Sequence, residues 1–213
     1  MPLKAAVVPV TPFQQNCTLL WDETTKSGAV VDPGGDLDRI EAAIAETGMT
    51  VEKILITHGH VDHAAGAAEL KEKLGGVPVE GPHRADKFIL DSLDKVGPSF
   101  GMVGARALTP DRWLAEGDIV TAAGATFSIL HCPGHSPGSV AYVNAAQRFA
   151  LVGDVLFHGS IGRTEGLPQA DQATLLHSIK TKLLPLGDDF VFICGHGPMS
   201  TIGVERQSNP FIA

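Results

Sequence analysis

The chain has 213 residues, enough to bury a substantial core, and its 44% apolar and 19% charged composition is that of an ordinary globular protein. No stretch approaches the roughly eighteen apolar residues that cross a bilayer, so a membrane partner is not expected. The formal charge of −8 argues against nucleic acid, whose phosphates call for a basic surface. The first thirteen residues carry one lysine and three prolines and lack a signal peptide's apolar core, so the expected location is cytoplasmic. Ala5 to Val10, Cys17 to Trp21 and Gly28 to Val31 are expected strands, the last running into the turn Asp32-Pro33-Gly34-Gly35. A helix follows from Asp36 to about Thr47, with Leu37, Ile40 and Ile44 at helical spacing and Gly48 as its stop. Lys53 to Ile56 is a strand, Asp62 to Leu74 a helix stopped by Gly75-Gly76, and Val77 to Val79 a short strand.

Arg84 to Leu93 has helical character, whereas Val96 to Pro110 is rich in Gly, Ser and Pro and is expected to be irregular. Strand signals resume at Trp113-Leu114 and Ile119-Val120, then at Thr126 to His131, Val140 to Val143 and Phe149 to Val152. Thr174 to Leu184 is an expected helix with Leu175, Ile179 and Leu183 on one face, and Phe190 to Ile193 the last strand. Both halves thus run several strands and then a helix. Two sheets packed face to face with helices outside, an αββα sandwich, fits that pattern better than a doubly wound sheet. Cys17, Cys132 and Cys194 are odd in number and never in a C-x-x-C pair, so buried reduced thiols are expected.

The chemistry concentrates in Thr57-His58-Gly59-His60-Val61-Asp62-His63, directly after the apolar run Ile54-Leu55-Ile56. In an extended segment His58 and His60 leave the same face and converge on one ion. Asp62 and His63 open a helix, where neighbours point roughly 100° apart, and suit a second ion close by. Three further candidates stand where an apolar strand gives way to a Gly or Pro turn. They are His135 in Cys132-Pro133-Gly134-His135, Asp154 after Leu151-Val152-Gly153, and His196 in Cys194-Gly195-His196-Gly197. Imidazoles and carboxylates together suit Zn²⁺ first, with Fe and Mn as alternatives. His83, His131, His158 and His177 lack such partners and are expected at the surface or in hydrogen bonds.

The motif from Thr57 to His63, followed in order by His135, Asp154 and His196, resembles the metallo-β-lactamase superfamily over nearly the whole chain, Asp32-Pro33-Gly34-Gly35 included. Within it the ending Gly195-His196-Gly197-Pro198-Met199-Ser200-Thr201 and Glu205 to Phe211 is similar to the short bacterial type II glyoxalases, the hydroxyacylglutathione hydrolases. The resemblance implies one αββα domain over residues 1–213 and two divalent ions. One would be held by His58, His60 and His135, the other by Asp62, His63 and His196, with Asp154 between them. It further implies hydrolysis of a glutathione thioester, S-D-lactoylglutathione, to D-lactate and glutathione by hydroxide held between the ions. Asp62 and Asp154 would be the catalytic carboxylates, and Asp32 would fix a ligating imidazole through its other N–H.

Arg163, nine residues past Asp154, falls where the longer enzymes carry a basic residue and would grip a glycine carboxylate. Glu165 and Pro198 stand where contacting tyrosines are expected, and about seventeen residues follow His196, too few for those enzymes' helical C-terminal domain. The glutathione grip is then weaker, built differently, or completed by a second subunit of a homo-oligomer. Three other functions stay open at this point: a single-iron persulfide dioxygenase, a lactonase or β-lactamase, and a fold merely stapled by metal.

Overall fold

The computed structural model describes residues 3–212. In the first half, β1 (Leu3–Val10), β2 (Gln15–Asp22), β3 (Ser27–Val31), β4 (Thr50–Leu55) and β5 (Val79–Glu80) form one sheet in that order. The first three strands are antiparallel neighbours, while β3, β4 and β5 are parallel. Parallel neighbours need crossovers, and α1 (Leu37–Thr47) and the pair α2 (Val61–Ala64) and α3 (Ala67–Lys73) supply them. Two short helices, α4 (Lys87–Leu90) and α5 (Leu93–Val96), complete this half.

In the second half β6 (Ile119–Ala122), β7 (Ala125–His131), β8 (Val140–Asn144) and β9 (Phe149–Gly153) form an antiparallel meander. A small hairpin of β10 (Leu156–Phe157) and β11 (Ser160–Ile161) follows, then α6 (Gln172–Ser178). The strand β12 (Val191–Cys194) joins β9 in parallel, and β13 (Ser200–Thr201) and α7 (Ile202–Ser208) end the described chain's regular structure.

Side-chain alternation explains the layers. On β2 Leu19 packs outward against the first helices while Leu20 packs between the sheets, and on β4 Ile54 and Leu55 divide in the same way. On β8 and β9 Ala141, Val143, Ala150 and Val152 face α6 and α7, whereas Val140, Tyr142 and Leu151 face the other sheet. Every strand of the two inner faces therefore has two apolar destinations, which forces helix, sheet, sheet, helix. The Tyr142 hydroxyl crosses the interlayer and donates to the carbonyls of Ile56 (2.9 Å) and Glu80 (3.2 Å).

Some elements differ from expectation. The helix expected over Asp62–Leu74 is broken at Ala65-Gly66, because the chain there runs against the Asp32–Gly35 turn: a Cβ on Gly66 would lie 2.6 Å from the Pro33 carbonyl oxygen. The helix expected over Arg84–Leu93 is a 3-10 turn at Arg84–Asp86, then α4 and α5. The one expected over Thr174–Leu184 starts as α6 and widens into a π turn at Ile179–Leu183. Trp113-Leu114 is not a strand; Leu114 N–H bonds the Pro82 carbonyl, and Arg112 alone bridges to Glu80. The hairpin β10–β11, β13 and α7 were not expected. No helix among the described residues is long and apolar enough to cross a membrane.

Strand direction places the chemistry. The strands β7 and β9 are each antiparallel to β8 and so run the same way, and β12 is parallel to β9. The segments carrying His135, Asp154 and His196 thus all leave the carboxyl ends of codirectional strands. In the other sheet Asp32 and His58 likewise follow the carboxyl ends of the parallel strands β3 and β4. Residues from five strand ends meet at one edge of the sandwich, where open α/β sheets hold their ligands.

Candidate metal centre

All seven side chains singled out as ligands meet at this edge. His58, His60 and His135 form one group, Asp62, His63 and His196 another, and within each group the candidate donor atoms lie within 4.8 Å of one another. Asp154 stands between them: its Oδ1 is 3.3 Å from His63 Nε2, and its Oδ2 is 3.5 Å from both His135 Nε2 and His196 Nε2. The separation is less clean than spacing implies, since His58, His63 and Asp154 form a third such group.

Four of the five imidazoles are oriented through the outer nitrogen, His60 being the exception. His63 Nδ1–H donates to Asp32 Oδ2 at 2.9 Å, His135 Nδ1–H to the Arg163 carbonyl at 2.7 Å, and His196 Nδ1–H to the Phe13 carbonyl at 3.2 Å. Thr57 Oγ1–H donates to Asp32 Oδ2 at 2.6 Å, leaving Thr57 Oγ1 to accept from His58 Nδ1 at 3.1 Å. Asp32 also accepts from Thr57 N–H at 2.7 Å. One buried carboxylate therefore fixes His63 directly and His58 through Thr57, which is the position expected for Asp32.

The inward atoms are those of an ion site. His135 Nε2 is 2.8 Å from His60 Nδ1 and 3.2 Å from His58 Nε2. With the outer N–H groups of His58 and His135 committed, a single proton on His60 Nδ1 is the most these three nitrogens can share. Their lone pairs otherwise face one another in a dry site, an arrangement that a cation relieves. His63 Nε2 and Asp154 Oδ1 are likewise buried without a hydrogen-bond partner, as is the outer His60 Nε2. The two inward orphans, a nitrogen of His63 and a carboxylate oxygen of Asp154, fit a divalent ion.

Electrostatics agree with that fit. Burial pushes His58 well below the usual imidazole range, His60 down to about 3, and His135 down as well, so these rings are neutral and ready to ligate. Burial acts in the same sense on His63 and His196, but Asp154 and Asp62 outweigh it, holding His63 well above the usual range and His196 up to about 9. Asp154 is held well below the carboxylate range, burial being overcome by His63, His196 and His135, and Asp62 is lowered too. The carboxylates are thus ionised, with protons where cations would sit.

Close packing at this edge needs glycine. A Cβ on Gly195 would lie 1.9 Å from Asp154 Oδ1 and 2.6 Å from His63 Cε1, so any side chain there would displace both groups. Gly153 has φ +50° and lets β9 end against Thr57, whose Oγ1 would be 2.5 Å from an added Cβ.

Several contributors were invisible as a pattern. Asp86, on the 3-10 turn before α4, is fully buried and accepts from Gly59 N–H, Ser136 Oγ–H and Gly138 N–H at 2.7, 2.8 and 2.6 Å. Burial pushes it up to about 6 against those bonds. Gln15 Nε2 packs 3.4 Å from His63 Nδ1 without a bond, since that proton goes to Asp32, and Asn16 ties the His196 loop through the carbonyls of Cys194 and Gly197. Arg163 serves through its carbonyl; its exposed guanidinium has no hydrogen-bond or ion-pair partner among the described residues. His158, expected at the surface or in a hydrogen bond, is half exposed and bonds the buried Glu205 of α7 at 3.2 Å. Glu205 also accepts from Gly159 N–H, and Asn209 donates to the Phe157 and Ser160 carbonyls, so the tail clamps the loop between Asp154 and Arg163. A cavity of about 460 Å³ between Thr11, Asp36, Glu69 and Met102 is lined by none of the seven ligand candidates.

A double sheet with a His/Asp cluster at the carboxyl ends of its strands is the architecture of a metal-dependent hydrolase. Residues 10–196 match the family model described as metallo-beta-lactamase superfamily, and the chain belongs to that superfamily. Among its relatives is the hydroxyacylglutathione hydrolase GloC of Haemophilus influenzae, 46% identical over 207 residues that cover 97% of this chain and 96% of that protein. Two crystal structures superpose over nearly the full length. One is BLEG-1 B3 metallo-beta-lactamase, with TM-score 0.89, 34% identity, and coverage of 98% of this chain and 99% of that one. The other is TTHA1623 in a di-iron-bound form, with TM-score 0.85, 36% identity, and coverage of 97% and 99%.

Proposed function

We propose that the protein is a thioester hydrolase of the type II glyoxalase kind, converting S-D-lactoylglutathione to D-lactate and glutathione. The observation that carries this reading is the convergence of seven candidate ligand side chains, four of them imidazoles oriented through their outer nitrogens, on two adjacent groups with Asp154 between them. The name of the 46% identical relative supports the substrate. In this reading His58, His60 and His135 hold one divalent ion and Asp62, His63 and His196 the other, with Asp154 shared. Zinc suits the donor set, and iron stands beside it because a 36% identical neighbour is described in a di-iron-bound form. Bound divalent ions supply Lewis acidity: they lower the pKa of water to ~7 and polarise a carbonyl.

The chain's own residues do the rest. Asp32, the Arg163 carbonyl and the Phe13 carbonyl hold three imidazoles in one tautomer each, so no reorganisation is needed during turnover. Asp62, whose Oδ2 lies 3.1 Å from His196 Nε2, is at the more open side of the cluster and accepts a hydrogen bond from the attacking water. The Arg163 guanidinium grips a substrate carboxylate, which orients the thioester. A thiolate leaves with a conjugate-acid pKa of ~8.5, so no strong general acid is required. The protein works as one domain over residues 1–213 in the cytoplasm, whose reducing conditions suit three free buried thiols.

The test is hydrolysis of S-D-lactoylglutathione by metal-loaded protein, with metal content measured on the same sample. Cleavage that is abolished in His58→Ala and Asp154→Ala is the expected result. No cleavage of this thioester, with fast cleavage of a lactone or another acyl thioester, refutes the substrate. Near-wild-type activity in both variants refutes the ligand roles. A β-lactam belongs in the same panel, because a 34% identical neighbour is described as a B3 metallo-beta-lactamase.

A further inference from the structure

Asp86 has no hydrogen bond or ion pair with any of the seven ligand candidates among the described residues, yet it is fully buried and bonds both the link between His58 and His60 and the loop that carries His135. Gly59, whose N–H it accepts at 2.7 Å, lies between His58 and His60 on the loop after β4. Ser136 and Gly138, which donate at 2.8 and 2.6 Å, belong to the loop after β7 that carries His135. These loops come from different sheets, and the Asp86 carboxylate bridges them beside the backbone bond from Val140 N–H to the Thr57 carbonyl at 2.8 Å. The fit is tight: a Cβ on Gly138 would lie 2.5 Å from Asp86 Cγ. Ser136 Oγ is steadied in turn by Ser139 Oγ at 2.8 Å, and His83 N–H bonds the Gly138 carbonyl at 3.0 Å.

The second group is supported elsewhere. His63 is fixed by Asp32 and His196 by the Phe13 carbonyl, on the turn between β1 and β2, and neither support contacts Asp86. From this arrangement we infer that Asp86 is a positioning residue for the three-imidazole group alone, whereas Asp32 serves both groups, holding His63 directly and His58 through Thr57. The inference rests on the two-ion reading above. A buried charged acceptor with three short bonds cannot be replaced by its amide without turning an N–H against a donor, so even Asp86→Asn loosens the spacing.

The experiment is stepwise Zn²⁺ titration by chelator competition on wild type, Asp86→Asn and Ser136→Ala, with His135→Ala and His196→Ala marking which affinity belongs to which group. Unfolding of each metal-free protein is measured in parallel. In Asp86→Asn one affinity is expected to fall roughly 10- to 100-fold, the one that His135→Ala removes, with the other unchanged within about twofold. Ser136→Ala, which deletes one donor and keeps the charge, shows the same selectivity at smaller amplitude and covers the case in which Asp86→Asn does not fold. Equal loss at both sites in step with lost stability, or no loss at either, overturns the assignment. A wild type that binds two ions while Asp86→Asn keeps both affinities sinks the role of Asp86 and spares the two-ion reading. A wild type that binds one ion sinks that reading and the selectivity with it.

Discussion

Replacing Asp32 by Asn is the sharpest test of how the centre is held. The carboxylate accepts three bonds: Thr57 N–H on Oδ1, and Thr57 Oγ1–H and His63 Nδ1–H on Oδ2. In its better orientation an amide keeps its oxygen at the Oδ2 position and turns its NH2 toward Thr57 N–H, donor against donor; in the other it loses two bonds. The residue is 3% exposed, so no solvent compensates. One unsatisfied buried donor costs about 1–3 kcal/mol, which is the expected loss in stability of the metal-free protein. Weakened orientation of His63, and of His58 through Thr57, should lower metal affinity by about 10- to 100-fold. That range corresponds to ~1.4–2.7 kcal/mol of binding free energy. Denaturant unfolding in the presence of a chelator reads the first quantity and competition titration the second. An Asp32→Asn protein that unfolds and binds zinc like the wild type would show that the imidazoles are positioned by backbone packing alone, and the account of the site would be wrong.

Three further outcomes follow from the packing and the titrating groups. Gly195→Ala places a methyl against Asp154 and His63, so the variant should lose about 1–3 kcal/mol or more and bind metal poorly; thermal unfolding and metal content check both. All three thiols are buried, with Cys132 pushed up to about 12 and Cys194 to about 11 by desolvation, so native protein should resist a thiol-specific disulfide reagent and denatured protein should titrate three groups. In metal-free protein His196 titrates at about 9, burial being outweighed by Asp154 and Asp62, against ~6.5 when unfolded. Because the folded value is the higher, its contribution to stability is complete below about pH 6.5 and disappears as pH rises through 9. A melting temperature in chelator that does not fall between pH 7 and 9 would contradict that pairing.

The ligand candidates were legible together, as a dense His/Asp cluster at one strand-to-helix junction and a His or Asp at three further places where an apolar strand meets a Gly or Pro turn. The superfamily could be recognised from the same residues. What supports them was not legible. Asp86 is one aspartate near a helix start like many others, and only the meeting of the Gly59 and Ser136 loops gives it meaning. The carbonyls of Arg163 and Phe13 leave no trace in side-chain chemistry at all. The broken helix at Gly66 has the same origin, since periodicity is local while the approach of Pro33 is tertiary. The tail was recognisable as a motif, but its work became apparent only when Glu205 and Asn209 were seen to grip residues 157–160.

Residues 58–63 extend from one layer, and His135, Asp154 and His196 from the other. Any cation that engages both sets is a cross-link between the layers, existing only when they are docked and absent from the unfolded chain. Its free concentration therefore enters the folding equilibrium, adding ~4.1 kcal/mol at a thousand times the dissociation constant. The durability of this molecule is then set partly by the ionic make-up of its surroundings, and a cell that withdraws metal would soften the seam along which the two layers join.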